Sequence, residues 1–270
     1  MPTCPLLMEP DELEARLDDP ELLIVDLCKP EIHVQGHIPG ALHLDYADVV
    51  CADPPVMGLL PDADQVSRLA ARLGLTPGRC VVTYDDEGGG KAARLLWTLV
   101  AYGHQHISLL NGGHHAWANE GHPMTQDEEK ACPSDYRLHD VGDVVADADY
   151  IRQHLQDPGV ALLDARTPDE FRGLDRRAAH GGHIPGAVNL EWTQAMDNAN
   201  NLRVKDRDVL MPMLEQMGIT PDKEVITYCQ THHRSAHTWL VLKTLGFDRV
   251  RGYPGAWSDW GNRNDLPVEC

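Results

Sequence analysis

The chain states one pattern twice, and no other feature limits its fold so tightly. Leu17, Asp19, Pro20 and Asp26 recur as Leu155, Asp157, Pro158 and Asp164. The hexapeptide Gly36-His37-Ile38-Pro39-Gly40-Ala41 recurs unchanged from Gly182 to Ala187. Val81, Thr83 and Tyr84 recur as Val225, Thr227 and Tyr228, and Ala116-Trp117 as Ala256-Trp257. The spacing drifts between these pairs, which means insertions, chiefly around Gly173 to Ala179 in the second copy. Solenoid units run to roughly 20–50 residues; this repeat is far longer, so it is a duplicated domain. A chain of 270 residues has room for two cores. The expected domains are 1–125 and 144–270, with the polar stretch 126–143 as linker.

Within each copy, short β-branched runs alternate with helical patterns. Leu22 to Asp26, Val81 to Tyr84 and Ile107 to Leu110 read as buried strands, and Val66 to Leu73 and Ala92 to Tyr102 as helices. Alternation of this kind predicts α/β domains, each a parallel sheet with helices on both faces. Ligands of such sheets bind beyond the carboxyl ends of the strands.

One strand end carries reactive chemistry. Val225 to Tyr228 reads as a strand, and Ser235 to Leu245 as a helix stopped by Gly246. Between them lies Cys229-Gln230-Thr231-His232-His233-Arg234. The first amides of a helix have no intrahelical partners and, with the macrodipole, favour negative charge. A thiolate held there has a pKa below the free value of about 8.5. Arg234 adds a fixed charge and a donor fork suited to oxyanions. Cys229 is thus a candidate nucleophile, with Gln230, Thr231, His232, His233 and Arg234 as candidate substrate contacts. His232 and His233 read equally well as hydrogen-bond donors and as exposed loop tips. The first copy has Asp85 where the second has Cys229. Its loop, Asp85-Asp86-Glu87-Gly88-Gly89-Gly90-Lys91, opens with three acids that repel a phosphate, so it reads as a copy that lost its nucleophile.

Composition narrows the function classes. The formal net charge of −19 speaks against a nucleic-acid or anionic-membrane partner and requires a local positive pocket for any anionic substrate. There is no apolar run near the roughly 18 residues of a membrane span, and the first residues lack a signal-peptide pattern. The seven cysteines are scattered, without a CxxC, and no HExxH zincin motif occurs among the 15 histidines. The expectation is a cytoplasmic protein with free thiols and no metal site.

Together, the two GHIPGA segments, Asp164-Ala165-Arg166 at a strand end, the Cys229 to Arg234 loop and the closing Gly255-Ala256-Trp257 resemble the tandem-domain rhodaneses, the thiosulfate:cyanide sulfurtransferases, over nearly the whole chain. The loop is similar to that of the bacterial thiosulfate sulfurtransferases. The resemblance implies two rhodanese-like domains, an inactive first and a catalytic second, an active site at their interface, and loop amides surrounding the cysteine sulfur. It implies a persulfide on Cys229, no cofactor, a small anionic sulfur donor such as thiosulfate, and a thiophilic acceptor such as cyanide. Two departures stand out. Mammalian-type enzymes carry a substrate-binding Arg just before the aromatic of a DAR-x-x-x-R-F/Y segment, and here Glu170 takes that place. Arg166 matches the first arginine of the segment and reads as a structural ion pair. The loop also lacks the Arg-Lys pair of mammalian rhodaneses and the Gly-Ser-Gly of mercaptopyruvate sulfurtransferases.

Several alternatives stay open from the sequence. 3-Mercaptopyruvate could be the donor, or a protein could accept the sulfur. A rhodanese-like cysteine phosphatase or arsenate reductase carries C-x5-R, whereas Cys229 to Arg234 is C-x4-R, a smaller ring that suits a single sulfur. A non-enzymatic binding module is the remaining class. The duplicated domains could pair within one chain, which leads to the expectation of a monomer.

Overall fold

The computed structural model describes residues 4–139 and 142–270. In chain order the first copy forms β1 (Leu7–Met8), α1 (Pro10–Glu14), β2 (Leu22–Asp26), α2 (Pro30–Gln35), β3 (Leu42–His43), the hairpin β4 (Cys51–Asp53) and β5 (Val56–Leu59), α3 (Ala63–Arg72), β6 (Cys80–Tyr84), α4 (Gly90–Ala101), β7 (Ile107–Leu110) and α5 (Gly113–Asn119). The second forms α6 (Ala148–His154), β8 (Val160–Asp164), α7 (Pro168–Phe171), β9 (Val188–Asn189), the hairpin β10 (Met196–Asp197) and β11 (Arg203–Val204), α8 (Arg207–Gln216), β12 (Glu224–Tyr228), α9 (Arg234–Thr244), β13 (Val250–Gly252) and α10 (Ala256–Trp260).

The chain divides into two compact units. The first unit holds a five-stranded sheet in the order β1-β7-β6-β2-β3, parallel at every pairing. The second holds a four-stranded parallel sheet in the order β13-β12-β8-β9. The strands β2 and β6 are buried at every position. This is the signature of a parallel sheet covered on both faces, and it explains why these strands read as unbroken apolar runs rather than as alternation. The sequence expectation of α/β domains with flanking helices holds.

The repeated residues form one network in each unit. In the first, Tyr84 Oη accepts the Ile38 amide at 3.2 Å and donates to Asp26 at 2.8 Å. In the second, Tyr228 Oη accepts the Ile184 amide at 3.2 Å and bonds the carboxylate of Asp164. The motif histidines close each copy. His37 pairs antiparallel with Thr125, and His183 with Glu269. The copies differ in the side chain that meets the buried aspartate. His33 lies 2.7 Å from Asp26, whereas Arg166 forks onto Asp164 at 2.6–3.0 Å. Arg166 is buried, donates also to Gly182 O and lies over the Trp257 ring at 4.5 Å. It is the structural ion pair its sequence position suggests.

Three features differ from the sequence expectation. Residues Val50–Leu60 of the first copy belong to the second unit, and Met196–Val204 of the second copy belong to the first. The presumed linker falls in the first unit up to Gly142. The hairpins responsible are too short and too polar to register as periodic runs. Lastly, Cys4 and Cys80 are not free. They form a disulfide with a Cα separation of 5.7 Å across 76 residues of sequence. Sheet order brings these cysteines together, which spacing alone does not reveal.

Candidate active site

The strand β12 is paired with β8 and β13, and its last residue, Tyr228, lies opposite Asp164. Cys229 is the next residue, and α9 begins at Arg234. The loop between them is fixed from outside by α10: the Trp257 amide donates to Cys229 O at 3.0 Å and the Ser258 amide to Gln230 O at 2.9 Å. His232 takes φ 55°. That left-handed conformation is uncommon for a residue with a Cβ and turns the loop so that its amides face inward.

Cys229 is 1% exposed. Burial alone pushes its thiol up. The Arg234 guanidinium, the Ser235 hydroxyl and the amides of Ser235 and Thr231 outweigh burial, and the thiol lies below its ordinary value. Arg234 in turn grips Glu170 through both terminal nitrogens, at 2.6 and 2.8 Å. Glu170 is held by the capping box of α7, where Thr167 N and Oγ both donate to its carboxylate at 3.1 Å. Burial raises the Glu170 carboxyl, but the Arg234 fork, Thr167 and Arg177 bring it down to about 2.

The other candidate residues are placed as follows. His232 is fully buried, with Nδ1 2.7 Å from Ser235 Oγ, so it is not an exposed loop tip. His233 is half-buried, with its ring 6.0 Å from that of Trp192. Gln230 Nε2 donates to Arg177 O at 3.2 Å. Thr231 lies under Gly58 of the β4–β5 hairpin, where a Cβ would fall 2.7 Å from Thr231 Cβ. Glu170, Ser235 and Arg177 were not foreseen as site residues. The Thr167-x-x-Glu170 capping box was legible in the sequence; its partnership with Arg234 was not.

The first unit provides an internal control. Asp85 occupies the position equivalent to Cys229. Its Oδ1 accepts the amides of Glu87 at 3.0 Å and Gly89 at 2.8 Å, and its Oδ2 that of Ala92 at 3.0 Å. A carboxylate of the chain itself fills the amide cradle. Burial and the nearby Glu87 still leave the Asp85 carboxyl above its ordinary value.

His237, one turn into α9, is fully buried, and neither ring nitrogen has a hydrogen-bond partner. Burial first, and His233 second, hold its pKa down at about 4. An unfolded histidine titrates near 6.5. The unfolded chain therefore binds the extra proton as pH falls from about 6.5 to about 4, and stability drops by up to about 3 kcal/mol over that window. His237→Leu should remove this component, which denaturant titrations of both proteins between pH 7 and 4 would measure. Identical pH dependence in the two would refute it.

Among the described residues, Asp11, Glu14 and His122 are the only group whose ligand atoms lie close enough to share an ion. Two of the three are exposed, and His122 already bonds Glu14 at 2.5 Å, so the group carries no metal assignment.

The sequence of both copies is that of a family. The model of the rhodanese-like domain matches residues 9–120 and 147–263, and the chain belongs to that family. A thiosulfate sulfurtransferase of Azotobacter vinelandii is 46% identical over 98% of this chain and 97% of its own length. One from Pseudomonas aeruginosa is 45% identical over the same shares, and the sulfur carrier protein TtuD of Thermus thermophilus is 31% identical over 97% of this chain and 96% of its own. Among solved structures, YnjE is similar in fold, with TM-score 0.88 at 21% identity, covering 97% of this chain and 68% of that one. Among the described residues no helix is long and apolar enough to cross a membrane.

Proposed function

We propose that the protein is a thiosulfate sulfurtransferase that works through a persulfide on Cys229. The observation that carries this reading is a fully buried thiol held below its ordinary pKa by a guanidinium, a hydroxyl and two amides. The Cys229 thiolate attacks the outer sulfur of thiosulfate. A new S–S bond forms, the S–S bond of thiosulfate breaks, and sulfite leaves with that electron pair. Cyanide then attacks the outer persulfide sulfur, thiocyanate departs, and the thiolate is restored. No redox partner or cofactor enters this balance. The amides and Ser235 are already aimed at the sulfur, so its charge is stabilised without reorganisation; one such donor is typically worth about 2.7–4 kcal/mol of barrier.

The test is direct, because a two-step covalent route leaves an intermediate when the acceptor is withheld. Thiosulfate without cyanide should add the mass of one sulfur atom to the chain, on the peptide that contains Cys229, and cyanide should remove it. Loading should stop at one sulfur per chain, since Asp85 fills the other cradle. Loading by 3-mercaptopyruvate alone would move the donor and keep the mechanism, and failure with both donors would refute the reading. The relationship to a sulfur carrier protein favours a protein acceptor as a second route. That route predicts slow discharge to cyanide and fast discharge to the acceptor. The reading also includes a cytoplasmic monomer. A reducing cytosol would hold Cys4 and Cys80 as thiols, and counting free thiols in freshly isolated protein tests that placement.

A further inference from the structure

The loop that carries Cys229 is braced by residues that the reaction does not touch. Ser258, in α10, is buried and meets both the loop and the β4–β5 hairpin. Its amide donates to Gln230 O at 2.9 Å. Its hydroxyl accepts the Met57 amide at 2.9 Å, and its proton is shared between Met57 O at 3.1 Å and Gly255 O at 2.6 Å. The hairpin is carried by the first copy but belongs to the second compact unit. Gly58, next to Met57, takes φ 72° and lies so close to the loop that a Cβ would fall 2.1 Å from Thr231 O. Gly255, at the N-cap of α10, meets the same hairpin: a Cβ there would fall 3.0 Å from Val56 Cγ1. Among the described residues of the second unit, the non-glycine residues with left-handed backbone are His232 in the loop and Ala256 in α10, at φ 55° and 49°. Such conformations persist only where the surroundings over-determine them.

Resting on the sulfurtransferase reading, we propose that Ser258 is a positioning residue for sulfur transfer: it ties the β4–β5 hairpin and Gln230 to α10, and so fixes the Thr231 amide at the Cys229 sulfur. Gln230 O and the Thr231 N–H are opposite ends of one planar trans peptide. The Ser258 amide that holds the oxygen therefore aims the N–H the other way, and that N–H is one of the groups that keep the Cys229 thiol below its ordinary value. The next peptide, at Thr231 O, is blocked from turning by Gly58. Gly58 stays in place because the Ser258 hydroxyl holds both the amide and the carbonyl of Met57 beside it. The two contacts act on neighbouring peptides from two sides. The chemistry requires this rigidity: negative charge sits on the Cys229 sulfur before loading and on the outer sulfur after it. Donors stabilise both states cheaply only if they are held in place and need no reorganisation.

The experiment follows iodoacetamide alkylation of Cys229 and sulfur loading from thiosulfate against pH, in the full chain, for Ser258→Ala, Gly58→Ala and Gly186→Ala. Gly186 has φ 76° and open space where a Cβ would stand, so its variant repeats the backbone strain of Gly58→Ala without the push on Thr231. Ser258→Ala removes a single buried oxygen and keeps the test open should Gly58→Ala fail to fold. Gly58→Ala should raise the alkylation midpoint by about one pH unit and Ser258→Ala by about half of one. Gly186→Ala should keep the parent's midpoint. Below both midpoints Gly58→Ala should load sulfur about threefold more slowly, because a roughly tenfold smaller thiolate fraction is partly offset by the greater nucleophilicity of a less acidic thiol. Above both midpoints it should load at the parent's rate or faster. A merely structural role would lower loading at every pH and leave the midpoint in place. That result in Ser258→Ala and Gly58→Ala, beside a parent that loads sulfur, would overturn the inference and spare the sulfurtransferase reading. A parent that loads no sulfur would sink the sulfurtransferase reading, and this role with it.

Discussion

Cys229→Ser should take up no sulfur from thiosulfate and lose turnover by more than about a thousandfold, while its thermal melt stays close to that of the parent. The serine hydroxyl fits the cradle, because the sulfur is fully buried and smaller atoms need no rearrangement. It cannot be held as an anion at neutral pH, and a persulfide needs sulfur. Equivalent substitutions at Cys28, Cys51, Cys132 and Cys270 should retain most activity. Burial and the neighbouring Asp26 push the Cys28 thiol far up, so it offers no competing thiolate. Mass spectrometry after thiosulfate and a thiocyanate assay measure both halves. Substantial turnover in Cys229→Ser would place the nucleophile elsewhere.

The second large effect belongs to the pair behind Cys229. Arg234→Gln should destabilise the protein by on the order of 3 kcal/mol, because the Glu170 side chain is fully buried and would keep only Thr167 and the longer Arg177 contact. The same substitution should raise the Cys229 thiol pKa, since Arg234 is the largest of the influences that lower it. Glu170→Gln separates the two roles. It loosens the loop but leaves the positive charge beside the sulfur, so the thiol should stay acidic. The pH dependence has a definite sign. Glu170 titrates at about 2 in the folded protein, below the ordinary carboxylate value near 4.3. Its contribution is fully present above the ordinary value and is lost as pH falls towards about 2. The stability gap between parent and Arg234→Gln should therefore be full at pH 7 and narrow as pH falls towards about 2, since the buried Glu170 of the variant takes up its proton before that of the parent. Denaturant titrations and the pH profile of Cys229 alkylation check the two claims. A thiol pKa unmoved in Arg234→Gln would show that the amides and Ser235 suffice.

The sequence made the fold legible because its cues are local and repeated. Buried strands such as β2, β6 and β12 are β-branched runs, and the helices α4 and α9 carry their own stop signals. The duplication doubled every cue. Cys229 was legible for the same reason: a thiol at a strand-to-helix junction meets the helix amides by chain connectivity alone, and the Asp85 copy showed what the loop looks like without it. Arg234 was found by spacing within the same loop.

The tertiary structure decided whatever depends on distance between segments remote in sequence. Glu170 lies 64 residues from Arg234, and no periodicity links them. Cys4 and Cys80 meet because sheet order places β1 and β6 on either side of β7. Gly58 reaches Thr231 through a hairpin that joins the second compact unit. Hydrophobic patterning fixes which face of a segment is buried, and so determines elements and their class. The pairing of buried charges follows from which side chains are desolvated together, a property of the packed arrangement, and only the packed arrangement shows that Arg234 is committed to Glu170 while Arg177 stays half-exposed.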